Sequence, residues 1–290
     1  MKEQLMSPPK NLHHVLNHLN KLPAIPAIAQ KILSLKITKD EGERALFDLI
    51  EKDPAILSKI IGMSNSSLFG TGRKILTLRD AAALLGSKRV KMIALSFAMM
   101  SSMARKPPGL LNIHGLWQHS LGVAMTMDTL ASLMPKDRRP SDDEIYLAGL
   151  LHDIGFLVLD YLDNRLSDKL HARLVAEPGR PVEEIEAEIL EMNHCELGAE
   201  LGRHWNLPES IIAVIRYHHA ANEQLAAVGY PLVVMTSLAE KLLPTFGIAE
   251  SVQMTISAEE WLSLGIDPLS ADGIKAKVQE HVREIATINT

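Results

Sequence analysis

The chain has 290 residues, 47% of them hydrophobic and 22% charged, ordinary globular proportions that exclude a disordered, collagen-like or coiled-coil chain. That length allows one to two domains and a full core without staples. Thirty Lys and Arg against 35 Asp and Glu give a net charge of −5, which argues against a nucleic-acid partner for the chain as a whole. Cys195 is the one cysteine; no intramolecular disulfide can form, and a reducing, cytoplasmic setting is expected.

Apolar residues recur at intervals of three and four, aromatics are only 4%, and alternating β-branched runs are scarce, so an all-α chain is predicted. Residues 1–18 read as an N-terminal tail. LPAIPAIAQKILSL then sets Ile25, Ile28, Ala29, Ile32 and Leu33 on one helical stripe. A short helix is expected over residues 45–51. Asp53-Pro54 starts another as N-cap and first helical residue. Gly70 and Gly72 mark a turn, Thr77 caps LRDAAALLG, Gly86 ends it, and Ser87 starts KRVKMIALSFAMM. Lys106-Pro-Pro-Gly109 is the clearest break. Beyond it, helices are expected over 116–133, over 144–162 without interruption, from the 177–181 turn to Trp205, from Pro208 to the His218-His219 pair, and from Pro231 to about Leu243. The last 40 or so residues read as a terminal helical pair. The longest run free of charged side chains, residues 107–127, contains Pro107, Pro108, Asn112, His114, Gln118 and His119, unlike a membrane span. The start, MKEQLMSPPKNLHH, lacks the apolar stretch of a secretory signal, and no membrane association is expected.

Arg73, Lys74, Arg79, Lys88, Arg89 and Lys91 face one acid, Asp80. The helix–Gly–helix pattern there could be taken for a DNA-reading motif. Without interleaved aromatics, a solvated face beside a buried AAALL stripe is the better reading.

Five histidines and two acids form an ordered series: His119, His152-Asp153, His194, His218-His219 and Glu240. Each group falls on a different predicted helix, as a metal centre inside a helical bundle requires. A vicinal His-Asp pair within AGLLHDIGFLVL is costly to bury unless something offsets the desolvation. Any one of these residues alone reads as a satisfied or surface polar group; together they point to a shared ion. Mixed imidazole and carboxylate ligands suit one or two Fe, Mn, Zn or Ni ions rather than Ca. Asp153 is the natural bridge. Such a centre acidifies water for phosphoester cleavage, with His152 and Asp153 as the candidate catalytic pair. The remaining histidines, including His13, His14, His18 and His204, read as ordinary polar residues, and Arg165, Arg203 and Arg216 are candidate phosphate contacts.

The series H…HD…H…HH…acid resembles the HD superfamily of metal-dependent phosphohydrolases. LPAIPAIAQKILSL, DLIEKDPAILSKIIGMSNSSLFG, ILTLRDAAALLGSKRVKMIAL and LGAELGRHWNLPESIIAVIRYHH are similar to an HDOD domain, and the likeness runs from Leu19 to Leu243. It implies an N-terminal helical bundle over residues 19–106, packed on an HD-like metal-binding bundle over residues 107–245, with residues 246–290 as a C-terminal helical extension. Many HDOD domains have lost the HD ligands. Here His119, His152, Asp153, His194, His218 and His219 fall on ligand positions, while Glu240 stands where Asp is usual. HDIG (152–155) resembles the cyclic-dinucleotide phosphodiesterases, but Phe156 replaces the lysine that assists at the phosphate. Gly229-Tyr230-Pro231 spells that family's GYP at the wrong spacing.

The implied function is bacterial signalling or regulation, with a retained metal centre and a signalling protein as partner. The alternatives are an active phosphohydrolase or phosphodiesterase on a nucleotide or cyclic dinucleotide, for which a phosphoester is the ligand, and a metal-free interaction module.

Overall fold

A computed structural model describes residues 22–37, 40–65, 74–103, 108–190, 192–219, 228–244, 246 and 255–286. Every regular element among them is helical, as the apolar periodicity predicts. The tail, the Gly70–Gly72 turn, Arg73 and Lys106 lie outside the described residues.

The first group comprises α1 (Ala27–Ser34), α2 (Asp40–Ile50), α3 (Pro54–Ser64), α4 (Leu78–Leu85) and α5 (Ser87–Ser101). Its boundaries follow from local chemistry. Asp53 Oδ1 accepts from the amides of Ala55 and Ile56 at 3.1 Å each, and Thr77 Oγ1 accepts from Asp80 N at 3.1 Å, so both N-termini find partners for otherwise orphaned donors. The helix expected over 45–51 begins five residues earlier, because Asp40, Glu41 and Glu43 complement the positive end of its dipole. α5 lies at the centre of this group, with α1, α3 and α4 against it.

The second group is built on α6 (Ile113–Leu133), buried around almost its whole circumference, as befits a central helix. Against it pack α7 (Asp142–Leu151), α13 (Leu232–Leu242) and α15 (Ala271–Ala286). α8 (Ile154–Leu162) packs on α9 (Asn164–Ala176) and α11 (His194–His204), and α12 (Glu209–Tyr217) bridges α11, α7 and α13. α10 (Val182–Ile189) rests on α9. In the C-terminal stretch, α14 (Ala258–Ser263) and a 3-10 turn (Pro268–Ser270) lead into α15, which is tied to α6 where Gln118 Nε2 donates to Ile285 O at 3.0 Å.

Two expected helices are each broken in two. The 144–162 helix bends by 41° at His152-Asp153. Near the bend His152 Nδ1 meets the Gly149 carbonyl at 2.9 Å. The helix expected to reach Trp205 stops at Ile189, and α11 restarts at His194 behind a capping box in which Asn193 Oδ1 accepts from Glu196 N at 2.9 Å. Among the described residues no single helix is long and apolar enough to cross a membrane; α7 and α8 together meet the criterion by length and composition only.

The basic tract is also corrected. Lys74, Arg79 and Lys88 are exposed, but Lys91 is 4% exposed and its Nζ reaches Asp143 Oδ2 at 3.3 Å. Arg89 donates to Tyr146 Oη at 2.7 Å and to Asp128 at 3.3 Å. Lys88 meets Asp142 at 2.8 Å. These cations bind α5 to the acidic first turn of α7 and to α6, and of the three Lys91 is the one withdrawn from the solvated face. Asp143→Ala should therefore leave a buried ammonium without its partner and cost about 1.5 kcal/mol. Lys91→Met should be nearly neutral, since a well-packed apolar side chain replaces a buried ion without penalty. Urea denaturation of the two variants checks this; equal losses would mean that packing, not the charge, dominates at Lys91.

Candidate metal centre

All seven sequence-selected side chains converge. His119 comes from the middle of α6, His152 and Asp153 from the α7–α8 bend, His194 from the start of α11, His218 and His219 from the end of α12, and Glu240 from α13. His119, His152, Asp153, His194, His218 and Glu240 are at most 2% exposed; only the His219 side chain, at 13%, approaches solvent.

The bend is held by close packing. A Cβ on Gly155 would lie 1.8 Å from the His194 carbonyl oxygen, so only glycine lets the start of α8 dock on the start of α11. That contact brings Asp153 beside His194. Phe156, the next residue, is fully buried and stacks on the His194 ring at 4.2 Å with an 11° tilt. It forms a wall of the cluster rather than an arm toward a phosphate.

The two oxygens of Asp153 serve different neighbours. Oδ2 lies 3.2 Å from His152 Nε2 and 3.5 Å from His119 Nε2. Oδ1 lies 3.3 Å from His218 Nε2 and 3.7 Å from His194 Nε2. Glu240 Oε1 is 3.3 Å from His152 Nε2 and 3.8 Å from His218 Nε2, and its Oε2 is 3.5 Å from His219 Nδ1. Most of these separations are too long for good hydrogen bonds. The three shortest, at 3.2–3.3 Å, match the edges of a coordination shell, which bonds of about 2.1 Å place roughly 3.0–3.4 Å apart, and the others are a few tenths of an ångström longer.

Ring orientation favours the same use. His152 Nδ1 faces the Gly149 carbonyl, and His218 Nδ1 faces the carbonyls of Val214 and Ile215 at 3.2 and 3.0 Å. His194 Nδ1 faces both oxygens of Glu186 at 3.0 and 2.9 Å. A carbonyl or carboxylate only accepts, so each Nδ1 carries a proton and each Nε2 points inward. This is how carboxylate and carbonyl partners orient metal-binding imidazoles. The inward Nε2 of His119 and His152, both oxygens of Asp153 and Oε1 of Glu240 are buried without a hydrogen-bond partner, a costly set of orphans. The residues fit a divalent transition ion.

Burial pushes the His119 imidazole down to about 4 and the Glu240 carboxyl upward. Burial also opposes ionisation of Asp153, but His152, His218 and His119 outweigh it and hold that carboxyl well below the usual range. His194 and His218 are raised despite burial, the first chiefly by Cys195 and Glu186, the second chiefly by Cys195 and Glu240. Cys195 in turn is lowered to about 7, because those imidazoles outweigh its burial.

Sequence reasoning missed two members, Cys195 and Glu186. Cys195 adjoins His194, a signal that was available. Arg203 pairs with Glu200 on the surface, Arg216 lies over the Tyr217 ring, and Arg165 and His204 are exposed.

A family model described as the HDOD domain matches residues 22–221. An uncharacterized protein of Treponema pallidum (strain Nichols) is 25% identical over 207 residues, which cover 69% of this chain and 38% of that protein. Among solved structures, a "Putative signal transduction protein" from Marinobacter aquaeolei VT8 has a TM-score of 0.74 at 25% identity, covering 97% of this chain and 60% of that one. The chain therefore spans less than two thirds of the length of both. An HDOD domain protein with unknown function from Geobacter sulfurreducens has a TM-score of 0.64 at 24% identity, covering 93% and 98%. A "Putative phosphohydrolase" from Shewanella amazonensis SB2B has a TM-score of 0.68 at 19% identity, covering 94% and 96%. At these identities the last two speak to the fold alone.

Proposed function

The chain belongs to the HDOD domain family, and from that membership and the buried cluster we propose that it is a bacterial, cytoplasmic regulatory protein that keeps a His/carboxylate metal centre. His119, His152, Asp153, His194, His218, His219 and Glu240 would hold one or two divalent ions. The observation that carries the regulatory reading is closure: of these seven side chains only His219 has more than marginal contact with solvent. Structural metal sites are closed, whereas catalytic ones keep an open position. The Marinobacter likeness supports a role in signal transduction, for which we infer a protein partner.

A second reading, an active phosphohydrolase, is favoured by Asp153, whose two oxygens face different histidine pairs as a bridging carboxylate's would. A divalent ion there would supply Lewis acidity and an acidified water. Asp153 would orient both halves of the centre, and Glu240 and His219 would line the approach.

Elemental analysis of the purified protein, with turnover on a panel of phosphomonoesters, phosphodiesters and cyclic dinucleotides, separates the two. Bound transition metal without turnover is expected. Metal-dependent turnover that is lost in Asp153→Ala would replace the regulatory reading with the second, and protein that takes up no metal would sink both.

A further inference from the structure

The cluster includes a donor outside the His/carboxylate series. Cys195 Sγ is buried 3.4 Å from His194 Nε2 and 3.9 Å from His218 Nε2, and the two nitrogens are 3.4 Å apart. A tetrahedral ion bound at about 2.05 Å to nitrogen and 2.3 Å to sulfur separates its nitrogens by about 3.3 Å and nitrogen from sulfur by about 3.6 Å. The observed triangle has those proportions. A ring nitrogen of His219 completes a set of four ligand atoms within 4.8 Å of one another.

With Nδ1 of His194 turned to Glu186 and Nδ1 of His218 turned to backbone carbonyls, both Nε2 atoms point toward the sulfur. One cation serves both nitrogens and the sulfur at once.

We propose that Cys195 is a metal ligand, and that with His194, His218 and His219 it forms a thiolate-containing site whose preference differs from that of the opposite side. A sulfur donor among imidazoles selects zinc-like ions, whereas His119, His152, Asp153 and Glu240 offer only nitrogen and oxygen and suit iron or manganese. Asp153, with Oδ1 toward His218 and Oδ2 toward His152, stands between the two. This rests on the metal-centre reading above and adds to it a soft position beside a hard one.

The test is cobalt(II) loading of the full chain and of Cys195→Ser, followed by absorption spectra, bound cobalt and circular dichroism. Wild type should show a thiolate-to-cobalt charge-transfer band, whose only intramolecular thiolate source is the single cysteine. Cys195→Ser should keep its helical spectrum, lose the band, and bind cobalt at that position about tenfold or more weakly. X-ray absorption of zinc-loaded wild type needs no variant and should show one sulfur at about 2.3 Å. Cobalt bound without the band, or zinc surrounded only by nitrogen and oxygen, overturns the proposal and leaves the His/carboxylate centre standing. Failure to bind either ion overturns both.

Discussion

Asp153→Ala should lower the metal content of the purified protein and blunt its thermal response to added metal. Asp153 is the one side chain whose two oxygens face four of the inward nitrogens, those of His119, His152, His194 and His218. Its loss removes a ligand from each half of the cluster. It also removes the negative charge that most favours a cation in a pocket sealed from water. In wild type, an ion at a hundred times its dissociation constant stabilises the fold by about 2.7 kcal/mol, worth on the order of 5 °C in melting temperature for a chain of this size. The variant should show a smaller rise and less metal in elemental analysis. Asp153→Asn, which keeps the volume, should behave the same way and excludes a mere cavity effect. Equal metal content in wild type and both variants would show that Asp153 is not a ligand.

Phe156→Ala should be the most destabilising single truncation near the centre, at about 3–5 kcal/mol. The ring is completely buried, lies flat on His194, and also meets His171 at 5.7 Å. Removing it opens a cavity against a residue whose other side faces the cluster, so weaker metal retention should accompany the lower unfolding midpoint. Phe156→Lys should not install a phosphate-binding lysine. The side chain points into the core, where burying an ammonium is costly. A soluble, stable Phe156→Lys protein with new phosphodiester turnover would contradict this placement.

The site was legible because its residue types are expensive to bury. His152-Asp153 within an apolar run, and Glu240 within MTSLAEKLL, signal that something holds them. Caps were legible for the same local reason: Asp53 and Thr77 make the bonds their positions suggest. What could not be read was contact across breaks. Glu186 and His194 are eight residues apart, about 12 Å along an unbroken helix, yet they touch at 2.9 Å because the chain turns between α10 and α11. Expecting one helix there hid the partner that orients His194. Asn193 and Glu196 already spelled the capping box that makes the turn. Lys91 was misplaced for a different reason: its partner, Asp143, is 52 residues away, and nothing local marks a lysine whose counter-ion arrives from another helix.

α7 has a consequence for how the two groups of helices communicate. It is ten residues long, a rod of about 15 Å. One end is clamped by Lys88 and Lys91 of α5, and the other runs straight into His152. Toward the His152 end it has no slack, because a methyl group on Gly149 would collide with the Ala124 backbone of α6 at 2.5 Å. A rod pinned at both ends and pressed flat along its length transmits tilt instead of absorbing it. Displacing His152 is therefore expected to tilt α7 and disturb its pairs with Lys88 and Lys91.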